Sequence, residues 1–383
     1  MKLANLPSLP PITLIGHPFG STGRAQHIRA VWRALRTAGI AASIVDIVPT
    51  PAMDDPGLVA EFGPHLTETL SGGIRVFHLN GAEIGSHVLP LLHAAHGAFP
   101  ASYNIVFPAW ELPRYPAEWG HRLDRFDEVW TATRFADDAI RPAVNVPVWH
   151  IPNACEPHVA TPLRRAHFAI PERRFAVLFY FDFWSYAPRK NPAAVVETFA
   201  RTLAARPGAE LQLVLKLGHS SHDVVTAEEL RADIARFGDR VTLIDATLSD
   251  NEAKNLVRCC DCFLSLHRSE GFGRGPAEAM FFGKPVIATG WSGNMEYMQP
   301  DNSFSVQYTL VPVGLGEYPF GDGQVWAEPD VAHAAELLIG LIDDPPHAQA
   351  IGARARAHML ANFSDLVLGA RYRARFEAIA AGK

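Results

Sequence analysis

The sequence predicts an α/β protein built from two doubly wound, Rossmann-like domains. Three observations carry that reading. The chain has 383 residues, more than one ordinary domain accommodates. Short apolar runs alternate with helical patterns, which implies crossover connections and mostly parallel sheets. The alternation stops at a proline-rich stretch and then restarts.

In the first half the strands are "ITLIGH", "ASIVDIV", "IRVFHLN", "YNIVFPAW", "DEVWTAT" and "VPVWHIP". Between the first two lies "RAQHIRAVWRALRTAG". There Ile28, Val31, Trp32 and Leu35 recur at three- and four-residue spacing, and Gly39 ends the helix. Pro152–Arg174 has no periodicity and reads as a linker leading into the second domain. "FAVLFYFD", "LQLVLKLG", "VTLIDA", "CFLSLH" and "KPVIATG" are the next strands. Most are continuous apolar runs, as expected where helices cover both faces of a sheet. The helices between them are "NPAAVVETFARTLAAR", "AEELRADIARFG" and "SDNEAKNLVRCC", the last started by a capping box of Ser249 and Glu252. From about Asp330 the pattern is helical to the end.

Composition excludes several classes. A net charge of −6 gives no basic face for nucleic acid. An apolar content of 48% supplies real cores. No run of about eighteen apolar residues suggests a membrane span, and "MKLANLPSLPPITLIGHPFG" lacks the apolar core of a signal peptide. Four cysteines argue against a disulfide framework and for a reducing cytoplasm. Cys259, Cys260 and Cys262 read as small buried residues where a helix passes into a strand, since no second C-x-x-C completes a zinc site. His219 and His222 likewise lack a partner cluster and read as loop.

The most informative stretch is "SEGFGRGPAEAMFFGKP", Ser269–Pro285. It follows a strand and opens a helix, with Pro276 in the first turn and Gly283 at the end. Glycines 271, 273 and 275 let backbone approach a ligand, and a helix N-terminus attracts phosphate. Glu270 lies before the glycines and Glu278 in the expected first helical turn. Carboxylates accept hydrogen bonds from vicinal hydroxyls. Hydroxyls at both ends with phosphate between them describe a nucleotide-diphosphate sugar. The plainer alternatives are that Glu278 caps its helix and Glu270 is a solvated loop residue.

"HRSEGFGRGPAEAMFFGKPVIATGWSGNMEYM" resembles the E-x7-E signature of the group 1 (family 4) retaining glycosyltransferases. The similarity continues through "PRKNPAAVVETFARTL", "TLIDATLSDNEAKNLVRCCDCFLSLH", "WELPRYPAEW", "FDEVWTATRFADDAI" and "YTLVPVG…VWAEPD". The resemblance implies the GT-B fold, with two doubly wound domains facing across a cleft and a last helix crossing back to the first. It implies an N-terminal acceptor domain over 1–155 joined by helix 364–383, and a C-terminal donor domain over 170–363. It assigns Glu278 to the ribose, and Glu270 with the backbone of Gly271, Phe272 and Gly273 to the sugar and diphosphate.

Further roles follow from the same resemblance. Arg189 and Lys190 are expected on the diphosphate, Arg189 substituting for a separate arginine that this chain lacks. A cation just before a helix opposes the dipole, so Lys190 in particular needs a reason to be there. Gly20, Ser21 and Gly23 correspond to a loop closing on the diphosphate. Many members carry a histidine after the fourth strand. This chain has Trp110 and Glu111 there, leaving Glu111 and His78 as rival catalytic candidates, with a buried satisfied histidine as the plain alternative for His78.

The expected enzyme is a hexosyltransferase for polysaccharide biosynthesis with a nucleotide-sugar donor and a glycan or lipid-linked glycan acceptor. It should need neither cofactor nor metal, since no Asp-x-Asp occurs. It should work in the cytoplasm with at most peripheral membrane contact. The rival readings are a GT-B nucleotide-sugar 2-epimerase and a non-catalytic nucleotide-sugar-binding protein.

Overall fold

The computed structural model describes residues 9–47, 55–68, 70, 72–88 and 102–382. The opening residues read for a signal peptide, up to Ser8, and the end of "ASIVDIV" at Val48 lie outside them. The chain divides into two compact units. One holds Met1–Ala109, Tyr115–Ala154 and Phe363–Lys383; the other holds Trp110–Arg114 and Cys155–Asn362.

The first unit is a six-stranded parallel sheet in the order β2-β1-β3-β4-β5-β6. Its strands are β1 Ile12–Gly16, β2 Ala42–Asp46, β3 Gly73–Phe77, β4 Ser102–Val106, β5 Glu128–Thr131 and β6 Val148–His150. The helix Gly23–Thr37 starts at Thr22, whose side chain accepts from the Ala25 amide, and it buries Ile28, Val31, Trp32 and Leu35. Gly39 follows at φ 70. The terminal helix Asp365–Ala380 belongs to this unit. A Cβ on Gly369 would stand 2.2 Å from the Ala34 carbonyl oxygen, so that glycine sets how closely the two helices approach. The Tyr372 ring stacks on Trp130 at 5.8 Å between centroids, and its hydroxyl donates to the Pro152 carbonyl at 3.1 Å. Buried Glu128 accepts from Arg375 Nε at 3.1 Å, Tyr103 at 2.9 Å and the Trp130 indole at 2.7 Å.

The second unit is another six-stranded parallel sheet, in the order β12-β11-β10-β7-β8-β9. Its strands are β7 Phe175–Asp182, β8 Leu211–Gly218, β9 Val241–Asp245, β10 Cys262–Ser265, β11 Val286–Thr289 and β12 Phe304–Val306. β13 Tyr308–Pro312 and β14 Val325–Pro329 add an antiparallel hairpin that the alternation pattern does not announce. The Ser249 capping box forms as expected. Cys260 and Cys262 are buried and Cys259 partly so, all as free thiols. Helices Val331–Asp343 and Pro345–Phe363 complete the unit. Among the described residues no helix is long and apolar enough to cross a membrane.

Both sheets have a switch point, where the chain turns from building one flank to the other. It lies between β1 and β3 in the first unit and between β7 and β10 in the second. The carboxyl-end loops at such points are where open parallel sheets bind ligands.

Candidate active site

The second unit's switch point is framed by the loops after β7 and β10. The β7 loop leads into the short helix Ala187–Lys190. Lys190 is thus the last residue of that helix and stands just before Asn191, the N-cap of the next; its ion pair with Glu270 accounts for a charge at that place. Asn191, left-handed at φ 54, breaks the helix and starts Pro192–Ala205.

The β10 loop carries Glu270, which is only 8% exposed. Its carboxylate accepts from Lys190 Nζ and, at 3.2 Å, from Arg189 Nη1. Arg189 is buried and also donates to the backbone oxygens of Ser269 at 2.8 Å and Ser185 at 3.1 Å. Burial alone would raise the Glu270 pKa, but Lys190 and Arg189 hold it down at about 2. Burial pulls the Lys190 ammonium down despite Glu270 beside it. Burial would lower Arg189 too, yet Glu270 and Glu111 carry it above its ordinary value. Glu270 is therefore not a solvated loop residue.

Glu111 joins this cluster. Trp110–Arg114 packs with the second unit, although it follows a strand of the first in sequence. The Tyr318 hydroxyl, from the loop between β13 and β14, donates to Glu111 Oε2 at 2.5 Å. Ser269 Oγ donates to the Glu111 carbonyl. The Arg189 guanidinium lies 5.8 Å from the Tyr318 ring centroid, a cation–π distance. Burial and then Glu111 push the Tyr318 hydroxyl well above its usual pKa.

The glycine turn is built tightly. Gly273 has φ 80, a left-handed conformation that admits glycine without cost, and it immediately precedes the helix Arg274–Phe281. Among the described residues no side chain caps that helix. A Cβ on Gly271 would stand 2.9 Å from the Trp110 carbonyl oxygen. Phe272 is buried against the Tyr297 ring, whose hydroxyl donates to the Gly273 carbonyl at 2.5 Å. The Glu270 amide donates to Ser292 Oγ at 2.9 Å. His267 bridges Ser265 and Asn294, and burial lowers its pKa to about 4.

Glu278 differs from its expected position. The helix begins at Arg274, which makes Glu278 its fifth residue and puts it past the first turn. Helix capping therefore does not account for it. It is 1% exposed, and its Oε1 accepts from Lys254 Nζ at 2.6 Å and Arg274 Nη2 at 3.2 Å. Tyr180 Oη lies 3.5 Å from Oε2. Burial, then Glu278, raises the Tyr180 pKa strongly, and Glu270 adds to it, so this phenol feels both glutamates.

Gly20, Ser21 and His78 lie at the first unit's switch point, after β1 and β3. Buried Arg29 donates to the carbonyls of Pro18 at 2.7 Å and Gly20 at 3.0 Å, fixing the loop. His78 is 2% exposed; its Nδ1 lies 3.5 Å from His27 Nδ1, and burial drops its pKa to about 3. Its Nε2 has no hydrogen-bond partner among the described residues. His78 is thus a buried neutral imidazole.

Lys254, Arg274, Tyr180, Tyr318 and Ser292 were not singled out from sequence. Lys254 left a trace. It shares helical spacing with Asp250 and Val257, and all three are buried, so a charge interrupts the inward stripe.

Fold and cluster together define a doubly wound protein with paired carboxylates and cations at the switch point of its second sheet. A family model described as glycosyl transferases group 1 matches residues 165–358, just over half the chain. The chain belongs to that family.

Two curated relatives are similar over part of their length. A GDP-mannose-dependent monoacylated alpha-(1-6)-phosphatidylinositol monomannoside mannosyltransferase of Corynebacterium glutamicum is 28% identical over 191 residues, 48% of this chain and 43% of the relative. The human alpha-1,3/1,6-mannosyltransferase ALG2 is 24% identical over 187 residues, 47% of this chain and 40% of the relative. The matches thus span under half the length of these relatives. Among solved structures, Anabaena HepE in complex with UDP-glucose superposes with a TM-score of 0.71 at 14% identity, covering 96% of this chain and all of that one. Sucrose-phosphate synthase of Thermosynechococcus elongatus gives 0.69 at 15%, covering 98% and all of it. These are likenesses of fold, and the fold is of the GT-B type.

Proposed function

We propose that the chain is a retaining hexosyltransferase moving a sugar from a nucleotide-diphosphate donor to a glycan or lipid-linked glycan acceptor in polysaccharide biosynthesis. The observation that carries this reading is the pair Glu270 and Glu278, each buried and each held by two cations, flanking the glycine turn. Glu278 takes the ribose hydroxyls. Glu270 and the backbone of Gly271, Phe272 and Gly273 take the sugar and diphosphate.

Departure of the nucleoside diphosphate builds negative charge that cations and amide groups must meet in a water-poor site. Lys190 and Arg189 suit that task. Lys190 has three donors and Arg189 five, and among the described residues Arg189 Nη2 has no hydrogen-bond partner. With its pKa held at about 2, Glu270 stays ionised at neutral pH and stabilises positive character at the sugar carbon rather than donating a proton. Glu111 is the polar residue at the reacting end, and Gly20 and Ser21 are the first unit's candidates for donor binding. His78, buried and uncharged, is the weaker of the two catalytic candidates.

Both curated relatives are described as mannosyltransferases, so GDP-mannose is the first donor to test, with UDP-glucose the second. Incubation with donor and an acceptor panel, in EDTA, should give transfer with retained anomeric configuration. Conversion of the donor to its epimer without acceptor would favour the isomerase reading. Loss of turnover in EDTA restored by manganese would overturn metal independence, which is expected from the lack of Asp-x-Asp. The working site is the cytoplasm, with at most peripheral membrane contact.

A further inference from the structure

We infer that Lys254 is a positioning residue that turns Glu278 so that one carboxylate oxygen, Oε2, is presented to the donor's ribose hydroxyls. This rests on the proposed ribose role of Glu278 and extends it to a residue from another helix.

Glu278 is buried with unequal oxygens. Two cations converge on Oε1, Lys254 Nζ at 2.6 Å and Arg274 Nη2 at 3.2 Å. The hydrogen-bond neighbour of Oε2 among the described residues is Tyr180 Oη at 3.5 Å, the far limit of such a bond. Oε2 therefore retains accepting capacity, and two hydroxyls on adjacent ribose carbons are donors suited to it.

The two cations are not equivalent. Arg274 is four residues before Glu278 on the same helix, a local arrangement that gives the carboxylate little directional constraint. Lys254 reaches in from the helix Asp250–Cys259, is 2% exposed, and makes the shorter contact. Its helix is anchored by the Ser249–Glu252 capping box, with Asp250 Oδ1 a further 3.9 Å from Nζ. A lysine buried this deeply needs a fixed anion, and that fixed relation is what sets the carboxylate rotamer.

The test compares a nucleoside diphosphate with its 2′-deoxy form by calorimetry, using GDP or UDP, whichever binds wild type more tightly. Wild type should prefer the ribose form by about ten- to a hundredfold. Glu278→Gln should abolish that preference. Lys254→Met should reduce it to roughly threefold or less, and Lys254→Arg should recover part of it. A purely structural lysine would weaken both ligands alike and leave the ratio unchanged.

Lys254→Met leaves a buried uncompensated carboxylate and can fail to fold. The Lys254→Met/Glu278→Gln pair removes both charges. If Lys254 acts only through Glu278, the double variant binds both ligands as Glu278→Gln does. A separate loss in the double variant overturns the inference, as does a wild-type ratio in folded Lys254→Met. If Glu278→Gln itself keeps the wild-type ratio, the ribose role of Glu278 is what fails.

Discussion

The Tyr318 hydroxyl donates to Glu111 Oε2 at 2.5 Å, joining residues 207 positions apart in the chain. A hairpin loop thereby restrains the carboxylate that follows the fourth strand. A hydrogen bond to a charged group is worth ~1.5–3 kcal/mol, so Tyr318→Phe should lower turnover about tenfold or more and lower folding stability by no more than that amount. Glu111→Gln should cost at least as much in kcat. Normal turnover in the glutamine variant would remove Glu111 from the reaction.

Glu270 and Glu278 should fail in different ways. Ribose looks the same in ground and transition states, so Glu278→Gln should weaken donor affinity by about ten- to a hundredfold, with the bound-state rate less affected. Glu270 stands where charge develops, so Glu270→Gln should lower the single-turnover rate more than affinity. Calorimetry with single-turnover kinetics separates them. An effect of Glu270→Gln on affinity alone would reverse the two ends of the donor.

His78 should make the protein acid-sensitive above the carboxylate range. Its folded pKa of about 3 lies below the ordinary 6.5 because burial disfavours the imidazolium. The unfolded chain therefore takes up a proton as pH falls through 6.5 while the folded chain does not, and stability falls from there toward pH 3. In urea melts His78→Phe should flatten the slope between pH 6 and 4 by up to ~1.4 kcal/mol per pH unit. An unchanged slope would mean that the site already admits the charged ring.

Arg375 and Arg373 sit two residues apart on the terminal helix and should differ sharply. Arg375→Met leaves buried Glu128 without its cation and should cost ~3–5 kcal/mol. Arg373 pairs with a partly exposed Glu377 and donates to the Ala38 carbonyl, an uncharged acceptor, so its replacement should cost under about 2 kcal/mol. Equal losses in chemical denaturation would contradict the burial difference.

The first sheet and five strands of the second were legible in sequence, because apolar runs alternate with helical periodicity; β12, three residues at the edge of the second sheet, is too short to leave that signal. β13 and β14 were not legible either, because Tyr308 and Leu310 of β13 are exposed and β14 buries the adjacent Trp326 and Ala327, so neither strand shows a clean alternation. That hairpin supplies Tyr318, so one side of the site was invisible. Glu270 and Glu278 were legible from spacing around glycines. Their cations were only half so. Arg189 and Lys190 stood out beside the β7 loop, whereas Lys254 shows only as a charge on the inward stripe of its helix, and that spacing does not name the distant carboxylate it pairs with. Pro276 does lie in the first turn, but Glu278 falls just past it, because Gly273 bends the chain into the helix at Arg274.

The terminal helix also sets an order of events during synthesis. The second unit is complete in sequence at Asn362, while the first still lacks Gly369, Tyr372, Arg375 and Phe376. Until those residues emerge, Trp130 has no ring stacked on it and Glu128 has no guanidinium. The N-terminal unit, made first, is therefore completed last. A released chain ending before the terminal helix would carry one finished unit and one open apolar face, a natural substrate for chaperone binding.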